Sequence, residues 1–194
     1  MGKVLFVNAC VKRCVPSRTL RLAKAYLAER CKDQSDGLET IDLEDLRLAP
    51  LSGRELAVRE EAIQKEDFSA AAFDLARNFR SAEEVVIAAP YWDMSFPAAL
   101  KVYLEHICVN KFTFGYGETG APRSLCNVKK VVYITTAGGM IGAANFGFEY
   151  VKGLFAALFG VADFSFFSAE GLDIFGNDSE AILKAAIDKM LSKS

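Results

Sequence analysis

The stretch from Val85 to Lys101 constrains this chain more than any other. Val85-Val86-Ile87-Ala88-Ala89 is uncharged and opens with three β-branched residues, the composition of a strand buried on both faces. Pro90 has no amide hydrogen, so the sheet ladder stops there and the chain turns out of the sheet. After Tyr91-Trp92-Asp93-Met94, Ser95 can cap a helix and Pro97 is tolerated in its first turn. Leu100, Tyr103, Leu104, Ile107 and Cys108 then follow at helical spacing. Trp92, the only tryptophan, thus falls in a loop at the carboxyl end of a strand, the edge where open α/β sheets bind ligands. Tyr91, Trp92 and Met94 either cover the top of the core, the commoner fate of large apolar residues, or face a flat ligand. Three of them in one loop favour the ligand.

Two further strand ends point to the same edge. Val4 to Asn8 reads as the first strand, followed by a helix that starts near Pro16-Ser17, buries Leu20, Ala23, Tyr26 and Leu27, and turns Arg21, Lys24 and Glu29 outward. A helix start after a strand presents free amides and the positive end of a dipole, which suits a phosphate, and Ser17 and Thr19 can add hydroxyls. An ordinary Ser17 cap explains the same residues equally well. The strand Val131 to Thr135 ends in Thr136-Ala137-Gly138-Gly139-Met140, where two glycines permit positive φ and close approach of a planar ring, or simply a tight turn.

The remaining segments complete a strand and helix alternation. Leu38 to Leu43 alternates in the manner of an edge strand. Residues 44 to 67 are charged and irregular, an excursion with room for one helical turn. Phe68 to Phe79 is helical in spacing through Ala72, Leu75, Ala76 and Phe79. In Lys111 to Pro122, Gly115, Gly117 and Gly120 satisfy Gly-x-Gly-x-x-Gly literally. Pro122 and another strand follow where a dinucleotide fold needs a helix, so the segment reads as a flexible aromatic loop. An apolar helix from about Phe146 to Phe159 ends at Gly160, a last strand runs from Phe164 to Ser168, and a final helix starts at Asn177 or Asp178.

The Ala-Pro strand end, the aromatic turn and Phe96-Pro97-Ala98-Ala99-Leu100-Lys101 resemble the flavin turn of the flavodoxin-like NAD(P)H oxidoreductases, which include FMN-dependent azoreductases and quinone reductases. Thr135, Thr136, Gly138 and Gly139 match a Thr-Ser-x-Gly-Gly segment that in this family lies beside the isoalloxazine ring. Thr113-Phe114-Gly115-Tyr116 is similar to its Thr-Phe-x-Tyr mouth segment, and Ala169-Glu170-Gly171 also fits. The strand and helix alternation gives five parallel strands of expected order 2-1-3-4-5, an α/β, flavodoxin-like three-layer sandwich that the resemblance also implies. The resemblance further implies an FMN cofactor with NADH or NADPH as co-substrate. FMN phosphate would sit at Ser17 and Thr19, and the ring against Pro90, Tyr91, Trp92, Asp93, Met94, Thr135, Thr136, Gly138 and Gly139. Trp92 would meet a quinone, azo compound or similar flat acceptor, Phe114 and Tyr116 would either meet it too or pack the rim, and no catalytic side chain is needed because the flavin carries the chemistry. Ala9 and Cys10 depart from the family, standing where hydroxyl residues are usual, and Lys12, Arg13 and Arg18 make this loop more basic. Family members build the site across a two-fold interface. A homodimer is expected here too, because Phe148, Phe155 and Phe159 exceed what one side of a sheet hides. An electron carrier or redox sensor without small-molecule turnover is the alternative.

Composition narrows the classes further. A chain of 194 residues, 52% of them hydrophobic and with no compositional break, is expected to form one domain over residues 1–194. Its 23 basic and 25 acidic residues are interspersed, leaving no footprint for nucleic acid or an anionic membrane, so small-molecule partners are expected. No apolar run approaches the ~20 residues that span a bilayer, and Val4 to Val7 is too short for a signal sequence. The five cysteines, at 10, 14, 31, 108 and 126, form no secreted framework and, with His106 the only histidine, no zinc site; reduced thiols in a cytoplasmic protein without metal are expected. His106, late in a helix, reads as a solvated or capping residue rather than part of a hydrolase triad.

Overall fold

The computed structural model describes residues 2–11, 16–32 and 37–192; Lys12, Arg13 and Cys14 lie outside them. In chain order the elements are β1 (Val4–Asn8), α1 (Arg18–Arg30), β2 (Leu38–Asp42), α2 (Leu43–Leu46), α3 (Gly53–Lys65), α4 (Asp74–Ser81), β3 (Glu84–Ala88), α5 (Ala98–Ile107), β4 (Phe114–Tyr116), β5 (Pro122–Ser124), β6 (Lys130–Thr136), α6 (Phe146–Phe159), β7 (Asp163–Ala169) and α7 (Ser179–Leu191).

Five strands pair in parallel in the order β2-β1-β3-β6-β7, which is 2-1-3-4-5 when only the parallel strands are counted. β1 and β3 are buried along their whole length: Val4 to Val7 and Val85 to Ala88 are apolar, and the polar ends are satisfied, Asn8 by Asp42 and Glu84 by Tyr26 and Arg30. Because successive side chains point to opposite faces, each central strand feeds two cores. Leu5, Val7, Val85, Ile87, Val131 and Tyr133 meet α5 and α6, whereas Val4, Phe6, Val86, Ala88, Val132 and Ile134 meet α1 and α7. On α1 the inward residues are Thr19, Leu22, Ala23, Tyr26 and Leu27, and Leu20 is only half-buried. Large fully buried apolar side chains such as Phe79, Phe155 and Leu100 each contribute about 1.5–3 kcal/mol by leaving water.

Four local expectations are corrected. Ser95 does not cap α5: the N-cap is Pro97, which makes no side-chain capping bond, and Ser95 belongs to the preceding turn. The 44–67 excursion holds α2 and the thirteen-residue α3, whose Ser52 and Glu55 form a complete capping box. The glycine-bearing 111–122 segment is a short antiparallel hairpin of β4 with β5. Finally, Phe148, Phe155 and Phe159 are all buried, against Phe166, Phe79 and Phe114, so they leave nothing for an interface. The helical spacing from Phe68 becomes regular only at Asp74, after a 3-10 turn at Ala71–Phe73.

Candidate flavin site

β1, β3 and β6 exit the sheet side by side, and above their carboxyl ends lies a crevice of about 530 Å3. One wall is the start of α1, with Pro16, Ser17, Arg18, Thr19 and Arg21. The turn after β3 supplies Pro90, Tyr91 and Trp92, the end of β6 supplies Thr136 and Gly138, and Asp173 and Glu180 close the far side. Cys10 and Val11 line it after β1.

At the α1 wall Ser17 is the N-cap, its Oγ accepting from the Leu20 amide at 3.2 Å. A capping hydroxyl still has a proton to donate, and the first-turn amides point the same way. The first turn holds no acid to oppose an anion. Thr19 is only 1% exposed and shares a 2.6 Å hydrogen bond with the Thr136 hydroxyl, so it binds α1 to β6 as well as lining the crevice. Cys10 is buried, and its amide donates to Asn8 Oδ1 at 3.1 Å, while Asn8 Nδ2 donates to Asp42 at 2.7 Å. Burial pushes the Cys10 thiol up to about 11, with the Ser17 hydroxyl pulling weakly the other way, so it stays protonated and is a poor anion donor.

The second wall is shaped by backbone geometry. The Tyr91 amide donates to the Thr136 carbonyl at 3.1 Å and its hydroxyl to the Ala144 carbonyl at 2.9 Å. Trp92 and Ser95 exchange backbone hydrogen bonds of 3.1 and 2.7 Å, and the two residues between them, Asp93 and Met94, have φ of 48° and 65°. This is a two-residue hairpin turn of the kind that favours Asn-Gly or Asp-Gly, built here with Asp93 in the first place and, in the second, Met94, which resists the left-handed region. Such conformations cluster where a ligand needs the backbone held in one shape. Trp92 and Met94 are 41% and 53% exposed, so neither covers the core.

The third wall corrects the reason for its glycines. Neither Gly138 nor Gly139 has positive φ. Gly139 faces open space, whereas a Cβ on Gly138 would run into the Asp173 carboxylate. The loop is laced to the turn after β7: Asp173 N donates to Gly138 O and Gly171 N to Gly139 O, both at 2.9 Å. The Ile141 amide donates to Glu170 Oε2 at 2.9 Å, and the Ser168 hydroxyl to Glu170 Oε1 at 2.8 Å. That lacing is the structural purpose of Ala169-Glu170-Gly171.

Asp93, Met94, Thr135 and Gly139 flank the crevice without lining it. Thr135 is 1% exposed, and its hydroxyl has no hydrogen-bond partner among the described residues. Phe114 and Tyr116 are not brought to the crevice by this chain. Their hairpin is anchored at the opposite, amino-terminal edge, where the Asn127 amide donates to Arg80 O and the Leu125 amide to Thr113 O. Phe114 is buried beside Phe159, and Tyr116 is 55% exposed. Sequence reasoning missed Arg21, Asp173 and Glu180 as crevice residues. Arg21 donates to both oxygens of Glu180 at 2.7 Å, which holds that carboxyl below its ordinary range, and Arg18 pairs with Asp173. Arg18 and Arg21 following the Ser17 cap was the available signal; nothing local marks their partners some 155 residues later.

Sheet order and crevice define a flavodoxin-like α/β protein, and the family model described as flavodoxin-like fold matches residues 2–193. The chain is 36% identical to FMN-dependent NADH:quinone oxidoreductase 2 of Clostridium acetobutylicum, over 97% of this chain and 96% of that protein. Against the FMN-dependent NADH:quinone oxidoreductase of Clostridium beijerinckii the identity is 33%, with 97% and 96% covered. Among solved structures an azoreductase from Bacillus anthracis superposes with a TM-score of 0.85 at 24% identity, covering 100% of this chain and 98% of that one. The chain belongs to the flavodoxin-like oxidoreductase family.

Proposed function

We propose that the protein is an FMN-dependent NADH oxidoreductase that reduces quinones, azo compounds or similar flat acceptors, acting as one domain over residues 1–194. The observation that carries this reading is the convergence on one crevice of a helix start, a left-handed turn and a glycine loop, in a chain similar over nearly its whole length to FMN-dependent NADH:quinone oxidoreductases. The residues present fit the cofactor. Ser17 and the first amides of α1 would hold a phosphate, open space beside Gly139 would admit a ring edge, and the Thr135 hydroxyl needs a partner. Backbone groups of Pro90 to Met94 would orient the ring, and Trp92 would shield it and receive the acceptor. Bound FMN would supply the electron transfer itself, from nicotinamide to acceptor. FMN rather than FAD is favoured by a single helix-start phosphate site.

This reading includes a homodimer and a cytoplasmic location. α6 exposes an uncharged stripe of Phe146, Tyr150, Gly153 and Ala157, and the exposed Tyr116 of one copy would be available to the crevice of another. The free thiols of Cys10, which is buried, and of the half-buried Cys31, Cys108 and Cys126 suit a reducing compartment, and no helix among the described residues is long and apolar enough to cross a membrane. The test is to reconstitute the purified chain with FMN and follow NADH oxidation with and without a quinone. Steady turnover is expected; a flavin-loaded protein that fails to turn over would instead be an electron carrier.

A further inference from the structure

Arg18, Asp173 and Gly138 form a chain of contacts from one wall of the crevice to another. Arg18 is the first residue of α1, beside the Ser17 cap. Its Nη1 donates to Asp173 Oδ1 at 2.8 Å and to the Leu172 carbonyl at 3.2 Å, and its Nη2 donates to Asp173 Oδ2 at 3.1 Å. Asp173 in turn donates its amide to Gly138 O at 2.9 Å, and its carboxylate rests on the Gly138 Cα, in the space a side chain would fill. A guanidinium fork fixes both the distance and the plane of the carboxylate it grips, which a single point charge would not. The side chains of Arg18 and Asp173 are 33% and 65% exposed, and pairs so exposed add little to stability.

We infer that Asp173 is a positioning residue which, through Arg18, couples the helix start that would take the flavin phosphate to the glycine loop that would flank its ring. This rests on the flavin reading of the crevice. Seating of the phosphate against α1 sets where Arg18 lies, Arg18 sets Asp173, and Asp173 sets Gly138. The two ends of the cofactor site are thereby adjusted together.

The test titrates FMN into apoprotein, reading fluorescence quenching for affinity and visible circular dichroism for the setting of the ring. Wild type is compared with Asp173→Ala, Arg18→Gln and the double variant, each first shown by thermal melting to be folded; Asp173→Asn replaces Asp173→Ala if the latter is not. Each single change is expected to raise the FMN Kd about two- to fivefold and to alter the dichroism alike, with the double variant no worse than either single, because both cut one linkage. Wild-type affinity and dichroism in the Asp173 variant would overturn the inference, as would effects that multiply in the double variant. If wild-type apoprotein itself fails to bind FMN, the flavin reading falls instead.

Discussion

Met94 occupies the left-handed region, at φ 65°, without being glycine or asparagine, at a cost of roughly 1–2 kcal/mol, whereas Asp93 beside it is of a type that tolerates that region. Met94→Gly should therefore stabilise the apoprotein by up to about 1 kcal/mol, and Met94→Ile should destabilise it by about as much, read as shifts of the urea midpoint. Equal midpoints would mean the turn re-forms without its positive φ. Gly139→Val separates the two reasons a glycine can be needed. Its φ is not left-handed and no atom lies within 4 Å of its Cβ position, so the variant's stability should stay within about 0.5 kcal/mol of wild type while FMN binding is lost. A variant that stays yellow and turns over NADH normally would show that the flavin ring does not lie against Gly139. Burial likewise decides the chemistry of Cys10, whose thiol is raised from 9.0 to about 11. Iodoacetamide at pH 8 should leave it unmodified in the native protein. A raised pKa favours the folded state fully below the unfolded value, so stability should fall as pH rises from about 9 through 11, with Cys108 at about 11 and Cys126 at about 12 adding to the loss. A flat stability profile across that window would contradict the burial argument.

At the level of elements, the strands were legible because each is a short apolar or alternating run ended by a turn signal, as Val85 to Ala89 is ended by Pro90. α3 was not, because its packing face is small and only half-buried: none of its residues is buried, Leu56 and Val58 are 43% and 58% exposed, and only Ala62 and Ile63 pack, against the Phe73 and Phe112 cluster. It is held by its Ser52 and Glu55 capping box and by Arg59, whose guanidinium donates to the carbonyls of Glu105 and Cys108 at the end of α5. Ser52→Ala should weaken α3 by about 1 kcal/mol, seen as faster amide exchange confined to residues 53–65, with FMN affinity unchanged. Exchange that accelerates across the whole chain would show that α3 opens only with the global fold. The hairpin eluded sequence reasoning for a related reason. Three-residue strands carry too little pattern to read, and Phe114, identified as an acceptor contact, is drawn into the core beside Phe159.

For the whole molecule, the interface proposal moves from the buried Phe148, Phe155 and Phe159 to the exposed stripe of Phe146, Tyr150, Gly153 and Ala157. Light scattering at micromolar concentration should give twice the 21.2 kDa of one chain, and Ala157→Arg should reduce it to a single copy by placing a charge in the stripe. A wild-type monomer would remove both the interface and any shared site. The sequence by itself determined the class of fold, the order of the parallel strands and three of the loops around the crevice. Hydrophobic period, prolines and helix starts are local properties, and a parallel α/β sheet leaves few ways to connect them. Only the tertiary structure decided that Asp93 and Met94 are left-handed, that Gly138 makes room for a carboxylate, that Thr19 is bonded to Thr136, and that Asp173 and Glu180 meet Arg18 and Arg21. Each of these joins residues far apart in the chain or depends on how neighbours pack, and no local pattern carries either.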